Sequence, residues 1–119
     1  MDILNHMVQY SAARFDRVAA AISDPTRRAI MARLARGSAR ISDVAEPFPM
    51  SLTGFCKHVR VLERAGLVRR TRQGRENTLE LSPEPLRDVA RWILSYEQFW
   101  NARLDRLQAF FATQKEKSR

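Results

Sequence analysis

Cysteine is almost absent from this chain of 119 residues, in which Cys56 is the only one. A single thiol excludes an intramolecular disulfide framework and the usual four-ligand zinc modules. The sequence also lacks an apolar run near the roughly 20 residues that a membrane span needs, and its first residues lack the basic-then-apolar order of a secretory signal. We therefore expect a cytoplasmic protein with no membrane partner.

Motifs for catalysis and metal binding are missing as well. With four glycines and two histidines, the chain has no glycine-rich phosphate loop, no GxSxG and no HExxH motif. A metal site needs three or four converging donors, and the only soft ligands are His6, Cys56 and His58. The sequence therefore predicts no enzyme, no cofactor and no metal.

Positive charge is plentiful, and its excess lies in the middle of the chain. The formal net charge is +8. Between Arg27 and Arg75 there are 12 cations and three anions, whereas the remainder holds nine cations and ten anions. A basic centre between balanced ends favours a polyanion as partner. An ordinary solvated surface has the same composition, so the local pattern must decide between the two.

Apolar periodicity predicts three helices in the first half of the chain. The first covers about 5–22. The second begins after Asp24, whose side chain can accept an orphan backbone N–H ahead of a proline, and it ends near Gly37. The third is short, follows Ser42 and stops at Pro47, because proline removes a backbone donor.

A fourth helix, capped by Ser51 and ending near Ala65, has one apolar and one basic face. The apolar stripe is predicted to face the core and comprises Leu52, Phe55, Val59 and Leu62. The opposite face and its edges hold Thr53, Gly54, Lys57, His58, Arg60 and Arg64. With the third helix this gives a helix-turn-helix over about 42–65, whose second helix would read the major groove of double-stranded DNA.

Two short strands with a glycine between them follow, over about 67–81. They predict a β-hairpin with a basic tip, and a recognition helix followed by such a hairpin is a winged helix. Arg72, Gln73 and Arg75 are the candidates for contacts to phosphates or the minor groove. Arg69 and Arg70 point to opposite faces of their strand, so only one of them can face nucleic acid.

The rest of the chain predicts one long helix over about 85–114, rich in aromatic side chains. It has little core of its own chain to cover, so we expect it to pack with the first helix in a homodimer. A cofactor pocket lined by the same aromatics is the weaker alternative. The predicted interface comprises Leu4, Val8, Phe15, Trp92, Tyr96, Phe99, Trp100, Leu104, Leu107 and Phe111. The predicted fold class is mainly α with a small β-hairpin, a winged helix-turn-helix with long terminal dimerisation helices.

Nearly the whole chain resembles the ArsR (arsenic-repressor-like) winged-helix transcriptional regulators. The resemblance implies a homodimeric repressor that binds an imperfect palindrome, with Ser51, Thr53, Gly54, Lys57 and His58 at the operator and Arg75 in the wing. Metal-sensing members carry paired cysteines in the third helix or an Asp/His set on the last one, and neither is present here. The matching segments are AISDPTRRAIMARLARG, ISDVAEPFPMSLTGFCKHVRVLERAGLVRR, RQGRENTLELSP and WILSYEQFWNARLDRL.

Two other functions remain open at this stage. A dimeric winged helix can serve as a protein-interaction scaffold that binds DNA only weakly through charge. A redox-responsive regulator is the other, if the Cys56 thiol is exposed among the cations around it. Steep salt dependence together with a strong preference for one sequence separates an operator-binding protein from a scaffold. The sequence identifies no effector.

Overall fold

The computed structural model describes the backbone of residues 2–117 and the side chains of residues 12–115. The chain is mainly helical with a small antiparallel sheet, which confirms the predicted fold class. Its elements in chain order are α1 (Asp2–Ile22), α2 (Pro25–Ala35), β1 (Ala39–Arg40), α3 (Ile41–Ala45), α4 (Leu52–Arg64), β2 (Val68–Gln73), β3 (Glu76–Leu81), α5 (Leu86–Leu94) and α6 (Glu97–Lys117).

The chain divides into two compact units, Met1–Val89 and Ala90–Arg119. The first unit has one apolar core, to which the helices from α1 to α5 and the sheet contribute. Small and branched side chains dominate it, as close packing between short elements requires. The buried residues are Val18, Ala21, Ile30, Leu34, Val44, Phe55, Val59, Leu62, Ala65, Leu67, Val68, Leu79 and Val89.

Side-chain caps fix where α2 and α4 begin. The Asp24 carboxylate accepts the backbone N–H of Arg27 at 3.0 Å, and the Ser51 hydroxyl accepts that of Gly54 at 3.1 Å. Each satisfies a donor that the first helical turn leaves without a backbone partner. The start of α4 is therefore set by its own sequence.

The sheet has the order β1-β3-β2, with both pairs antiparallel. Gln73 pairs with Glu76, which leaves a two-residue loop beginning at Gly74 with a φ of +62°. A left-handed first residue suits glycine and matches the twist of a hairpin. The strand β1 was missed by sequence reasoning, because two residues are too few to show an alternating pattern.

Leu52 departs from its predicted inward orientation. Its side chain is 60% exposed, whereas Phe55, Val59 and Leu62 are at most 1% exposed. Leu52 is the first residue of α4, and helical side chains point back toward the N-terminus, so its side chain extends past the first turn. Core contacts of α4 therefore begin at Phe55.

The segment 85–114 was predicted to be one continuous helix, and the structure corrects this. It contains two helices, since α5 ends at Leu94 and α6 begins at Glu97. At Ser95 the hydroxyl donates to the Trp92 carbonyl, and the backbone N–H is shared between the carbonyls of Arg91 and Trp92 at 2.9 and 3.2 Å. Serine side chains compete in this way with the helical hydrogen-bond pattern. The competition tightens the last turn of α5 and ends it.

The second unit carries large apolar side chains that its own residues leave exposed. Trp100 is 59% exposed and Phe111 is 60% exposed. Trp92 and Tyr96, and Phe99 and Trp100, make edge-to-face ring contacts, each with centroids 5.5 Å apart. Within the described part of the chain, no helix combines the length and apolar character needed to cross a membrane.

Candidate nucleic-acid interface

The outer face of α4 is polar, basic and open to solvent. Thr53, Lys57 and Arg60 are exposed, while Gly54 is half-buried. Ser51 lies at the entry to the same helix, where free backbone N–H groups and the helix dipole favour an anion. Since the opposite face of α4 is anchored in the core, this surface is rigidly presented.

The hairpin tip adds a second basic surface. Arg72, Gln73 and Arg75 are all exposed. The Arg72 Nε donates to the carbonyl of Gly74 at 3.2 Å, so this side chain folds over its own turn. Of the two arginines earlier in β2, Arg69 is exposed, whereas Arg70 donates to the Glu63 carboxylate at 2.8 Å. Only Arg69 of that pair is therefore available to a partner.

Three acids in or next to the basic region form ion pairs with arginines outside these two surfaces. The Arg40 guanidinium bridges Asp43 at 3.1 Å and Glu76 at 2.9 Å, and these carboxylates raise the pKa of Arg40. Such pairing ties β1 to α3 and β3. Among the described residues, no acid forms an ion pair with the exposed cations of α4 or the hairpin tip. Those cations are Lys57, Arg60, Arg64, Arg72 and Arg75.

Arg27 joins three helices at one end of this region. Its guanidinium donates to the carbonyls of Ala21 at 2.7 Å and Ala20 at 3.0 Å, which close the C-terminal turn of α1. It also lies 3.2 Å from the Nδ1 atom of His58 on α4. A guanidinium placed on α2 therefore caps α1 and contacts α4 at the same time.

These contacts involve one face of the His58 ring. A guanidinium has donors only, so its hydrogen bond to Nδ1 forms in the tautomer that carries the ring proton on Nε2. The ring is held between α2 and α4 with its side chain 25% exposed, and Nδ1 lies 3.9 Å from the Asp24 carboxylate. Hydrogen bonding by the Arg27 backbone N–H, together with nearby positive charge, lowers the pKa of Asp24.

Of the residues singled out in the sequence, Arg64 lies apart from the first turn of α4, whereas Cys56 lies beside it. Arg64 is in the last turn, about 16 Å along the axis from Thr53, and lines a shallow pocket with Arg14 and Arg17 of α1. Cys56 is half-buried and lines a second shallow pocket with Leu52, Thr53, Lys57 and Arg60. Across the described residues there is no group of three or more side chains able to hold a metal ion.

Sequence reasoning missed the link between Arg27 and His58. It placed His58 on the outer face of α4 or its edges, and Arg27 lies 31 residues before it. No local pattern pairs two such residues. The available signal was the position of an arginine one turn after a helix cap, where it can reach back to the preceding helix.

Of the three interface residues predicted in α1, the structure describes the side chain of one. Phe15 is half-buried and packs against the core of the first unit. Leu4 and Val8 lie outside the residues whose side chains are described. The interface predicted for the second unit consists of exposed side chains.

Comparisons with known proteins agree with this arrangement. A family model described as a helix-turn-helix domain matches residues 22–71. The transcriptional repressor SdpR of Bacillus subtilis is 34% identical over 76 residues, which cover 64% of this chain and 84% of SdpR. The HTH-type transcriptional regulator Rv2034 of Mycobacterium tuberculosis is 34% identical over 89 residues, covering 75% of this chain and 80% of that protein.

A crystal structure of an ArsR family transcriptional regulator superimposes with a TM-score of 0.70 at 38% identity, covering 76% of this chain and 93% of the other. The chain belongs to the ArsR family. This ArsR-family protein is a DNA-binding transcriptional regulator and not an enzyme. The resemblance found in the sequence is confirmed.

Replacing Arg27 by methionine tests the link between helices. The Arg27→Met variant loses its side-chain hydrogen bonds to two carbonyls of α1 and to His58, so we expect its free energy of unfolding to fall by about 2 kcal/mol. Arg28→Met is the matched control, because Arg28 donates to the Ile22 carbonyl of α1 at 2.8 Å but makes no contact with His58. Its expected loss is below about 1 kcal/mol in urea unfolding. Equal losses for the two variants would contradict the special role of Arg27.

Proposed function

We propose that this ArsR-family regulator is a homodimeric repressor that binds a palindromic operator. In each protomer α4 would lie in the major groove, and the hairpin would contact the phosphate backbone or the minor groove. The observation that carries the proposal is the exposed basic surface of α4 and the hairpin tip, which no described acid neutralises. Double-stranded DNA is the polyanion that a helix and a hairpin of this kind fit.

The proposed contacts divide by their chemistry. Ser51, Thr53 and Gly54 lie at the start of α4, where a recognition helix approaches base edges most closely. Lys57 follows one turn later and can reach guanine atoms or a phosphate. The residues proposed for phosphate or minor-groove contacts are His58 through its Nε2–H, Arg60, Arg64, Arg72, Gln73 and Arg75.

Exposed apolar side chains of the second unit support the dimer. Large aromatic residues gain free energy when they leave water, and proteins rarely expose so many without a partner. A second copy of the chain brings an identical surface, as two-fold symmetry requires. It also supplies the second recognition helix that a palindrome needs, at a spacing of about 34 Å.

Repression would follow from occupancy of the operator. We infer that a bound dimer blocks the promoter, since the relative SdpR is a transcriptional repressor. A protein whose partner is chromosomal DNA would act in the cytoplasm. Redox control through Cys56 and a scaffold with weak DNA binding are the competing functions.

Salt dependence tests the phosphate contacts. Lys57→Gln removes one exposed cation, so the slope of log binding constant against log salt should become shallower by about one unit. The measurement is fluorescence anisotropy with the protein's own upstream DNA and a scrambled duplex, at about 50 to 200 mM salt.

Lys115→Gln is the matched control for this charge change, since Lys115 is exposed on α6. Its slope should equal that of the unaltered protein. Weak binding of the unaltered protein that is equal on both duplexes would favour the scaffold. A slope that Lys57→Gln leaves unchanged would remove Lys57 from the interface.

Sedimentation equilibrium tests the dimer. Trp100→Ala should raise the dimer dissociation constant by at least about thirtyfold, because buried tryptophans dominate such interfaces. Asp105→Asn is the control, since a helix of 3.6 residues per turn places residue 105 on the opposite side of α6 from residue 100. A monomeric unaltered protein at micromolar concentration would overturn the proposed dimer.

A further inference from the structure

Leu52 is an apolar side chain placed on an otherwise polar and basic surface. It is the first residue of α4 and its side chain is 60% exposed. The neighbouring Met50, in the turn before α4, is 37% exposed. Nothing in the described core requires Leu52, since contacts of α4 with that core begin at Phe55. The surface therefore has an apolar side chain at the start of α4, the part of a recognition helix that contacts base edges.

The surroundings of Leu52 narrow the kind of partner. It lines a shallow pocket with Thr53, Cys56, Lys57 and Arg60. Leu52 and Cys56 are four residues apart and form an apolar edge of α4, while Thr53 and Lys57 form a polar and cationic edge beside it. The cations beside this apolar edge form no ion pair with a described acid. Such a surface suits an anionic partner that also presents a small apolar group.

Double-stranded DNA presents such a group at one kind of base. In the major groove the thymine C5-methyl is the apolar feature of the base edges, and it lies between two phosphate backbones. We propose that Leu52 contacts the 5-methyl group of a thymine in each operator half-site and makes this protein select A·T at that position. The inference rests on the proposed function and adds a specificity-determining residue to it.

Removing single methyl groups from the operator tests the contact directly. The operator is first isolated by selecting fragments of the protein's own genome that bind the full-length chain. Each thymine of a half-site is then replaced in turn by deoxyuridine, which lacks only the 5-methyl group. At one position the affinity of the unaltered protein should fall about fourfold, the value expected for one methyl group no longer buried.

The same scan with two variants identifies the side chain. For Leu52→Ala the deoxyuridine at that position should cost less than about 1.5-fold, because the methyl group has already lost its partner. Leu52→Met keeps an apolar side chain of similar volume and should retain most of the fourfold effect. Circular dichroism and sedimentation of both variants check that fold and assembly are unchanged.

Each outcome decides a separate claim. If no fragment is bound selectively, the proposed function fails and this inference fails with it. If an operator is found but no deoxyuridine lowers the affinity, operator binding stands and the thymine contact is wrong. If the fourfold loss persists in Leu52→Ala, a different side chain such as Thr53 contacts the methyl group and the assignment to Leu52 is overturned.

Discussion

The placement of the recognition helix α4 depends on the hydrogen bonds of the Arg27 guanidinium, which join this helix to α1 and α2. Side chains from the core anchor the inner face of α4 through apolar contacts, which are non-directional. The hydrogen bond to His58 is directional, and the same guanidinium is anchored on two carbonyls of α1. A change in α1, the first proposed dimerisation helix, would therefore reach α4 through one planar group. Such a coupling would connect assembly of the proposed dimer with presentation of the DNA-binding surface.

A second constraint is the distribution of charge. The protein concentrates cations in its DNA-binding half and has few acids there. The structure uses these acids to hold the framework, with Glu63 on Arg70 and Asp43 and Glu76 on Arg40. Cations of α4 and the hairpin tip remain without an acid partner among the described residues. These cations repel one another in the free protein, and DNA phosphates remove that repulsion when they neutralise the charge. The affinity for DNA should therefore depend strongly on salt concentration.

Much of the fold could be predicted from the sequence because its signals are local. Asp24 and Ser51 begin helices through their own side chains, and Gly74 adopts the positive φ at the start of its hairpin loop. The basic face of α4 also followed from the apolar period. Phe55, Val59 and Leu62 are buried on one side of this helix, and the polar and charged residues lie on the other.

The parts that could not be predicted depend on competition or on distance. Leu52 fits the apolar period, yet its place at the helix start leaves it outside the core. Ser95 interrupts a helix that the apolar periodicity alone would continue, because its hydroxyl competes for a helical carbonyl. The contact between Arg27 and His58 joins residues far apart in sequence, and only the packed helices bring them together.

Dimethyl sulfate interference on the selected operator determines whether α4 of each protomer reads the major groove. This reagent methylates guanine N7 in the major groove and adenine N3 in the minor groove. Two clusters of N7 interference are expected, with centres about 10 base pairs apart. Interference at adenine N3 alone, or a single cluster of N7 interference on a saturated operator, would contradict this placement of α4.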